Sequence, residues 1–506
     1  MLLSALLVSA LQAAPPPPEP KALLVFIDGF LPGAIATTPT PALDRLLERA
    51  AVSLEARAES TTISGSGWSS FLTGVHWDKH GVPDNAFEAP RFDRYRHVIA
   101  LLQEARPDAV TASAQSWRPI EEGLVLPAEP DHTAFHDYYA YSDDYWDEAS
   151  CDALCAADLA RVLATVDVDL AVVMFGELDG VGHTADNAHY DAADPLYQKM
   201  LARIDGHLSA LLDAIAGRDT YAGEDWLVIV STDHAGARGE GHGRNVPSHR
   251  RVPFLVSGAA AAPGPIWPPP QTVDVVPTAL RHLGVALRPE WDLDGVPVGL
   301  PGTTAHGPPE PRLGVELLFG GDAEHERGFA HSSGAPDASV AGWDDPGALT
   351  VLAYGAGDGF PTAEDPGPPD RGRNFFAGGG AAADSWMSQT LDVGALVTEA
   401  NRAGLELGYT LGAWLGGYAG QEDGAALTAT FLDGAGAPLG SARLGPVGAA
   451  ERGGRTGLWH RSSRGPVPPG TRRVEVRLDA YRHAGSNDGY ADNLSLVLEA
   501  RGGSHR

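Results

Sequence analysis

The sequence predicts an α/β fold, a mostly parallel sheet flanked by helices, followed by a β-sandwich. The first part rests on continuous apolar runs, of the kind found in strands buried on both faces, that alternate with helical patterns between residues 20 and 300. The second rests on a change of character past residue 313, where glycine is frequent, helical periodicity vanishes and short alternating segments are separated by Gly, Pro and Asp.

Met1-Leu-Leu-Ser-Ala-Leu-Leu-Val-Ser-Ala10 precedes four prolines from Pro15. A short apolar run followed by small residues reads as a signal peptide over residues 1–14, too short for a lasting membrane span. No Lys or Arg precedes it, and a disordered start is the alternative. A periplasmic or extracellular location is therefore expected, with no membrane anchor later in the chain. The next segment, residues 20–300, holds three buried-strand runs: Ala22-Leu-Leu-Val-Phe-Ile27, Leu170-Ala-Val-Val-Met-Phe175 and Trp226-Leu-Val-Ile-Val230. Helical patterns lie between them, at Pro41–Ala50 and Tyr197–Ile215. Residues 301–312 are a linker by their Pro, Gly and Thr content. Over 313–500, strands are expected at Ala426–Leu432, Arg472–Asp479 and Asn493–Leu498.

A chain of 506 residues is expected to form two domains. Its 43% hydrophobic and 20% charged content fits folded rather than disordered protein. With 36 Lys+Arg against 66 Asp+Glu the net charge is −30, which repels a nucleic-acid duplex. Small phosphate esters stay admissible, because bound cations reverse the local field. The two cysteines, Cys151 and Cys155, form either a small disulfide loop or two thiols on a helix face.

Each buried strand runs into a carboxylate. The first leads to Asp28-Gly29, the second to Glu177-Leu-Asp179-Gly-Val-Gly-His183, and the third to Ser231-Thr-Asp233-His234, then Gly241-His242-Gly243. Ligands of open α/β sheets sit beyond the carboxyl ends of the strands, so these motifs should meet on one rim. A helix N-cap explains one such Asp; it does not explain three Asp and three His together. Mixed imidazole and carboxylate ligands suit divalent zinc, with manganese or iron as alternatives.

Between the first two strands lies Thr61-Thr-Ile-Ser64-Gly-Ser-Gly-Trp68-Ser-Ser-Phe-Leu-Thr-Gly74, then Lys79-His80-Gly81-Val-Pro-Asp-Asn85. With Asp28, Asp179 to His183, and Asp233-His234, this stretch resembles the alkaline phosphatase superfamily, in its type I phosphodiesterase/nucleotide pyrophosphatase branch. The resemblance covers roughly residues 20–300 and implies an alkaline-phosphatase-like catalytic domain. That branch places a Thr or Ser nucleophile ten residues before the Gly of a Thr-Gly pair, which falls on Ser64, with Ser66 and Thr62 as the neighbouring registers. It implies one metal on Asp28, Asp233, His234 and the Ser64 oxygen, and a second on Asp179, His183 and His242, with His249 competing for the last place. Sulfatases of the superfamily carry Pro and Arg after the nucleophile, and Ser64-Gly-Ser-Gly lacks both.

The chemistry implied is hydrolysis of phosphodiester or pyrophosphate bonds in a small substrate through a phosphoserine, with two divalent ions, zinc foremost. Asn85 and a backbone N–H near Ser64 would bind a nonbridging oxygen, and Gly65 and Gly67 would leave room for the phosphoryl group. The alternatives are a phosphomonoesterase of the same superfamily, and a secreted glycan-binding or adhesion protein with an inactive core. The tyrosines and tryptophan between His132 and Trp146 read as a lid packed on the core or as a leaving-group pocket. Leu317-Leu-Phe-Gly-Gly-Asp-Ala-Glu324 and Asn487-Asp-Gly-Tyr-Ala-Asp492-Asn493 resemble the jelly-roll modules of secreted bacterial enzymes. That likeness implies a structural calcium on Glu324 and Asp492 and a glycan as possible partner.

Overall fold

The computed structural model describes residues 17–120, 123–124, 148–303, 305–306, 310–326, 328–329, 340–344, 349–380 and 384–501. The expected signal peptide and the aromatic stretch His132–Trp146 lie outside the described residues.

Eight strands form one sheet in the order β3-β4-β1-β5-β6-β2-β7-β8. They are β1 (Glu19–Ile27), β2 (Ala51–Arg57), β3 (Thr111–Gln115), β4 (Leu170–Phe175), β5 (Glu224–Ser231), β6 (Arg251–Ser257), β7 (Gly264–Trp267) and β8 (Ala305–His306). The block β3-β4-β1-β5 is parallel throughout. β6 then runs antiparallel to both β5 and β2. The three apolar runs of the sequence are the three adjacent central strands β4, β1 and β5, whose six-residue cores are fully buried.

Two helices position the rim. Pro195–Ala216 starts on an Asp194 cap, whose carboxylate accepts from the N–H groups of Leu196 and Tyr197, with Pro195 at the first helical position. Its Tyr197, Leu201, Ile204, Leu208 and Leu211 recur every three or four residues and bury one face in the core. That burial carries the Tyr197 hydroxyl to Gly29 O at 2.6 Å, fixing the turn after β1. The helix Ser64–Thr73 has a poor helix-forming sequence, SGSGWSSFLT, and all ten residues are buried. Packing rather than propensity holds it: Trp68 stacks on Phe26 of β1 with centroids 4.9 Å apart, and Gly74 closes it in the left-handed region.

Later in the chain, the strands β9 (Thr350–Ala353), β10 (Asn374–Ala377), β11 (Asp384–Asp392), β12 (Leu407–Gly417), β13 (Gly424–Leu432), β14 (Pro438–Leu444), β15 (Gly457–Pro466), β16 (Arg473–Tyr481) and β17 (Gly489–Ala500) build two antiparallel sheets. Their orders are β15-β12-β17-β10-β9 and β11-β16-β13-β14. Leu411, Leu415 and Leu496 of the first sheet pack with Leu427, Phe431 and Val476 of the second, so the core lies between the sheets as in a β-sandwich. A separate cluster running from Ala22 to Leu300 forms the core of the α/β part. The two parts touch through Arg250 with Glu326 at 3.3 Å, Arg57 with the Val340 carbonyl at 2.8 Å, and Trp267 against Phe319.

Candidate metal centre and active site

β4, β1 and β5 are neighbours, so the segments leaving their carboxyl ends meet on one rim. Asp28 follows β1, and its N–H still pairs with Phe175 O of β4. Asp179 and His183 sit one turn apart in the helix that opens at Glu177, with His183 Nε2 at 3.4 Å from Asp179 Oδ2. Asp233 and His234 leave β5. The bent backbone there brings His234 Nε2 to 3.2 Å from Asp233 Oδ2 and 3.5 Å from Asp28 Oδ1. His242 returns on a glycine-rich turn, its Nε2 at 3.0 Å from His183 Nε2 and 3.8 Å from Asp179 Oδ1.

Two groups of potential ligand atoms lie within 4.8 Å of one another among the described residues: Asp28, Asp233 and His234, and Asp179, His234 and His242. His234 belongs to both, and its ring stacks on His242 at 3.7 Å. His249 joins neither group. Its Nδ1 accepts from Arg244 N at 3.1 Å, and it is fully buried.

The hydrogen bonds of the imidazoles orient them as a metal centre requires. Each of the three imidazoles turns Nδ1 to an acceptor: Asn187 Oδ1 at 2.8 Å for His183, Ala235 O at 3.1 Å for His234, and Thr62 O at 2.7 Å for His242. Carbonyl oxygens only accept, so Nδ1 carries the proton and the Nε2 lone pair faces the centre. Burial lowers the pKa of His234 and of His242, which favours their neutral, ligating form. Burial, joined by the charges of Asp233 and Asp179, raises Asp28 well above the carboxylate range. Burial and the charge of Asp179 push Asp233 up to about 7. Burial opposes ionisation of Asp179 too, but the hydrogen bond with His183 and the surrounding imidazoles outweigh it and hold its pKa low.

Asp28 Oδ1 and Asp233 Oδ2 are buried with no hydrogen-bond partner. Orphaned carboxylate oxygens beside inward-facing imidazole lone pairs fit divalent cations. The Asp28–Asp233–His234 side is closed off, whereas the His183 side chain is 46% exposed. The centre therefore opens toward Asp179, His183 and His242.

Ser64 is the first residue of its helix, and its hydroxyl donates to His234 Nε2 at 3.3 Å. The neighbouring hydroxyls are turned elsewhere: Thr62 to Arg244 O, and Ser66 to Thr61 Oγ1. Asn85 accepts the Gly65 N–H at 2.7 Å, which leaves its amide NH2 as the donor beside Ser64. The room expected at Gly65 and Gly67 is filled by protein. A Cβ on Gly65 would lie 2.3 Å from Asp84 O, and one on Gly67 would lie 2.6 Å from Asp233 Cβ. The two glycines let the helix close on the Asn85 loop and on β5, rather than making space for a phosphoryl group.

The family described as Type I phosphodiesterase / nucleotide pyrophosphatase matches residues 22–246. Over this region, somewhat less than half of its length, the chain is similar to that family. No curated protein matches the chain. Among solved structures, the phosphonate monoester hydrolase of Agrobacterium radiobacter is similar at 16% identity and TM-score 0.45, over 57% of this chain and 78% of that one. An inactive form of murine ectonucleotide pyrophosphatase/phosphodiesterase 5 in complex with AMP is similar at 13% and 0.41, over 57% and 98%. A 2-O GAG sulfatase is similar at 12% and 0.44, over 55% and 73%.

Three residues that support the site were not assigned a role from the sequence. Trp68 Nε1 donates to Asp28 Oδ2 at 3.0 Å; its place four residues after Ser64, on the same helix face, was the available signal. The Tyr190 hydroxyl donates to Asp179 Oδ1, with its ring packed on the bare faces of Gly182 and Gly236. Asn187 accepts from His183 and is the last of three consecutive residues, Ala185 to Asn187, in the left-handed region. No local pattern announces the last two.

In the sandwich, Asp492 accepts the Tyr354 hydroxyl at 2.7 Å, and burial with the charges of Glu324 and Asp322 pushes it up to about 8. The Glu324 carboxylate accepts the N–H groups of Arg373 and Asn374. The structure makes Glu324 and Asp492 electrostatic neighbours, and they join no group of three convergent ligands among the described residues. No disulfide joins Cys151 and Cys155, which lie one turn apart on the helix Glu148–Thr165.

Proposed function

We propose that this chain is an exported, metal-dependent hydrolase of phosphodiester or pyrophosphate bonds that works through a phosphoserine at Ser64. The observation that carries the reading is the set of three imidazoles whose Nδ1 atoms are tied to acceptors while their Nε2 atoms converge with two unpartnered Asp oxygens beside the Ser64 hydroxyl. Asp28, Asp233, His234 and Ser64 would hold one divalent ion, and Asp179, His183 and His242 the other. The ions, zinc by the donor set, would lower the pKa of the attacking oxygen and offset charge on the leaving one.

The protein's own part follows from the geometry. Ser64 Oγ attacks phosphorus in line, the bond to the leaving alcohol or phosphate breaks, and the phosphoryl group passes to Ser64. The helix N-terminus on which Ser64 stands favours the negative phosphoryl group. The Asn85 NH2, held by its bond to Gly65 N–H, donates to a nonbridging oxygen. Water then cleaves the phosphoserine and regenerates the hydroxyl. The division at residues 301–312, a leader over 1–14, a calcium ion at Glu324 and Asp492 and a glycan ligand for the sandwich belong to the same reading.

The deciding experiment compares kcat/KM on an aryl phosphate diester, an aryl monoester, a dinucleotide or nucleotide pyrophosphate, and an aryl sulfate. The diester or pyrophosphate should lead. A monoester preferred by a wide margin makes the chain a phosphomonoesterase, and a preferred sulfate ester removes the phosphoryl reading altogether.

A further inference from the structure

Asn187 touches both segments that supply the imidazoles. Its side-chain oxygen meets His183 Nδ1 at 2.8 Å, and its backbone carbonyl accepts the Gly239 N–H at 2.9 Å, in the turn between His234 and His242. Its amide also lies against Gly241, where a Cβ would come within 3.0 Å of Asn187 Oδ1, and Gly241 immediately precedes His242. To reach this place the chain leaves the helix at Thr184 and takes three left-handed residues in a row, Ala185 (φ 49), Asp186 (φ 58) and Asn187 (φ 63). Asp and Asn tolerate that region better than most residues; Ala does not. Strain of this kind persists where the surrounding contacts over-determine it. The contacts here are a tautomer-fixing bond to one imidazole and a backbone bond into the loop that carries the others.

We propose that Asn187 is a positioning residue that ties the Asp179–His183 helix to the 234–242 turn, so that His183 and His242 present Nε2 to the same divalent cation. The proposal rests on the metal-hydrolase reading. An acceptor on the far nitrogen of a ligating imidazole fixes its tautomer and orientation, and loss of such a partner typically costs about 10–100-fold in metal affinity. The side-chain contact with Gly241 sets Asn187 against the residue that precedes His242, while the backbone bond to Gly239 holds the same turn.

The test is Zn2+ binding to the full chain, stripped of metal and titrated against a chromophoric chelator, for wild type, Asn187→Gly and Asn187→Asp. Glycine accepts the positive φ and loses the acceptor; aspartate keeps the acceptor. The melting temperature of each metal-free protein is measured alongside. Wild type should take up two ions. Asn187→Gly should lose about tenfold or more at one site only, with a metal-free melting temperature near that of wild type, and Asn187→Asp should bind both ions at least as tightly as wild type. Equal affinities in wild type and Asn187→Gly overturn the proposal, as does an Asn187→Asp protein as weak as the glycine variant. A glycine variant that melts far lower with unchanged affinity also overturns it, since Asn187 would then only stabilise the fold. Wild-type protein that takes up no Zn2+ overturns the metal-hydrolase reading itself, and this inference with it.

Discussion

The Trp68 indole N–H donates to Asp28 Oδ2 at 3.0 Å, from the same helix that begins with Ser64. One rigid element therefore orients a carboxylate on the first strand and presents the hydroxyl beside it. Trp68→Phe keeps an aromatic ring against Phe26 and removes only the donor. The expected result is a loss of about 10–100-fold in metal affinity and a stability cost of about 1–3 kcal/mol from the unpaired buried oxygen. Chelator competition and denaturant melts measure the two; unchanged affinity would mean that Asp28 does not need this partner.

Ser64→Ala should lower turnover by several orders of magnitude while moving the melting temperature little, since one hydroxyl leaves a polar pocket. Ser66→Ala and Thr62→Ala should be milder, because those hydroxyls are already bonded to Thr61 and Arg244. A trapped phospho-enzyme examined by mass spectrometry should carry its phosphate on Ser64. Phosphate on residue 62 or 66 would shift the register of the site.

Gly65→Ala and Gly67→Ala should both be severe, although each adds only a methyl group. The new carbons would meet Asp84 O and Asp233 Cβ at 2.3 and 2.6 Å, positions that only a shift of the backbone can relieve. Activity should fall at least 100-fold, on the reasoning that misplacement by about 1 Å costs that much. Near-normal kcat in either variant would show that the helix can retreat from its neighbours without harm.

Metal should stabilise the protein more as pH rises. In the absence of cations burial pushes Asp233 up to about 7, and Asp28 is raised as well. A carboxyl group whose folded pKa lies above its unfolded value of about 3.9 stabilises the fold while protonated, and that contribution is lost as pH rises through the folded value. A bound dication removes the cost of ionising both groups. The gap in melting temperature between zinc-loaded and chelator-treated protein should thus widen from pH 5 to pH 8. A constant or shrinking gap contradicts this assignment of the two carboxylates.

Much of this was legible in the sequence because burial on both faces leaves a distinctive mark. Leu170–Phe175 is apolar at every position and forms β4 with those bounds, and Ala22–Ile27 and Trp226–Val230 fall inside β1 and β5. Once three such strands are recognised, the residues after them point to one rim, and Asp28, Asp179, Asp233 and the histidines follow. The supporting partners were hidden for a physical reason. Tyr190 reaches Asp179 by packing against Gly182 and against Gly236, a glycine on a different strand's loop, and no local pattern around Tyr190 encodes that pairing. The antiparallel β6 between β5 and β2 was equally silent, since Arg251–Ser257 is as buried as a parallel strand would be.

The adjacency of β4, β1 and β5 makes the sheet a gauge. Neighbouring strands stand about 4.8 Å apart because backbone hydrogen bonds set that repeat, and paired catalytic ions work about 3.5–4 Å apart. In the proposed two-ion reading, groups hung from consecutive strands would inherit nearly that pitch from the main chain, whatever side chains surround them. On that reading loops beyond the rim could drift in length and composition, and so retune which ester is admitted, while the separation of the charges acting on it would stay anchored to a backbone that substitution barely alters.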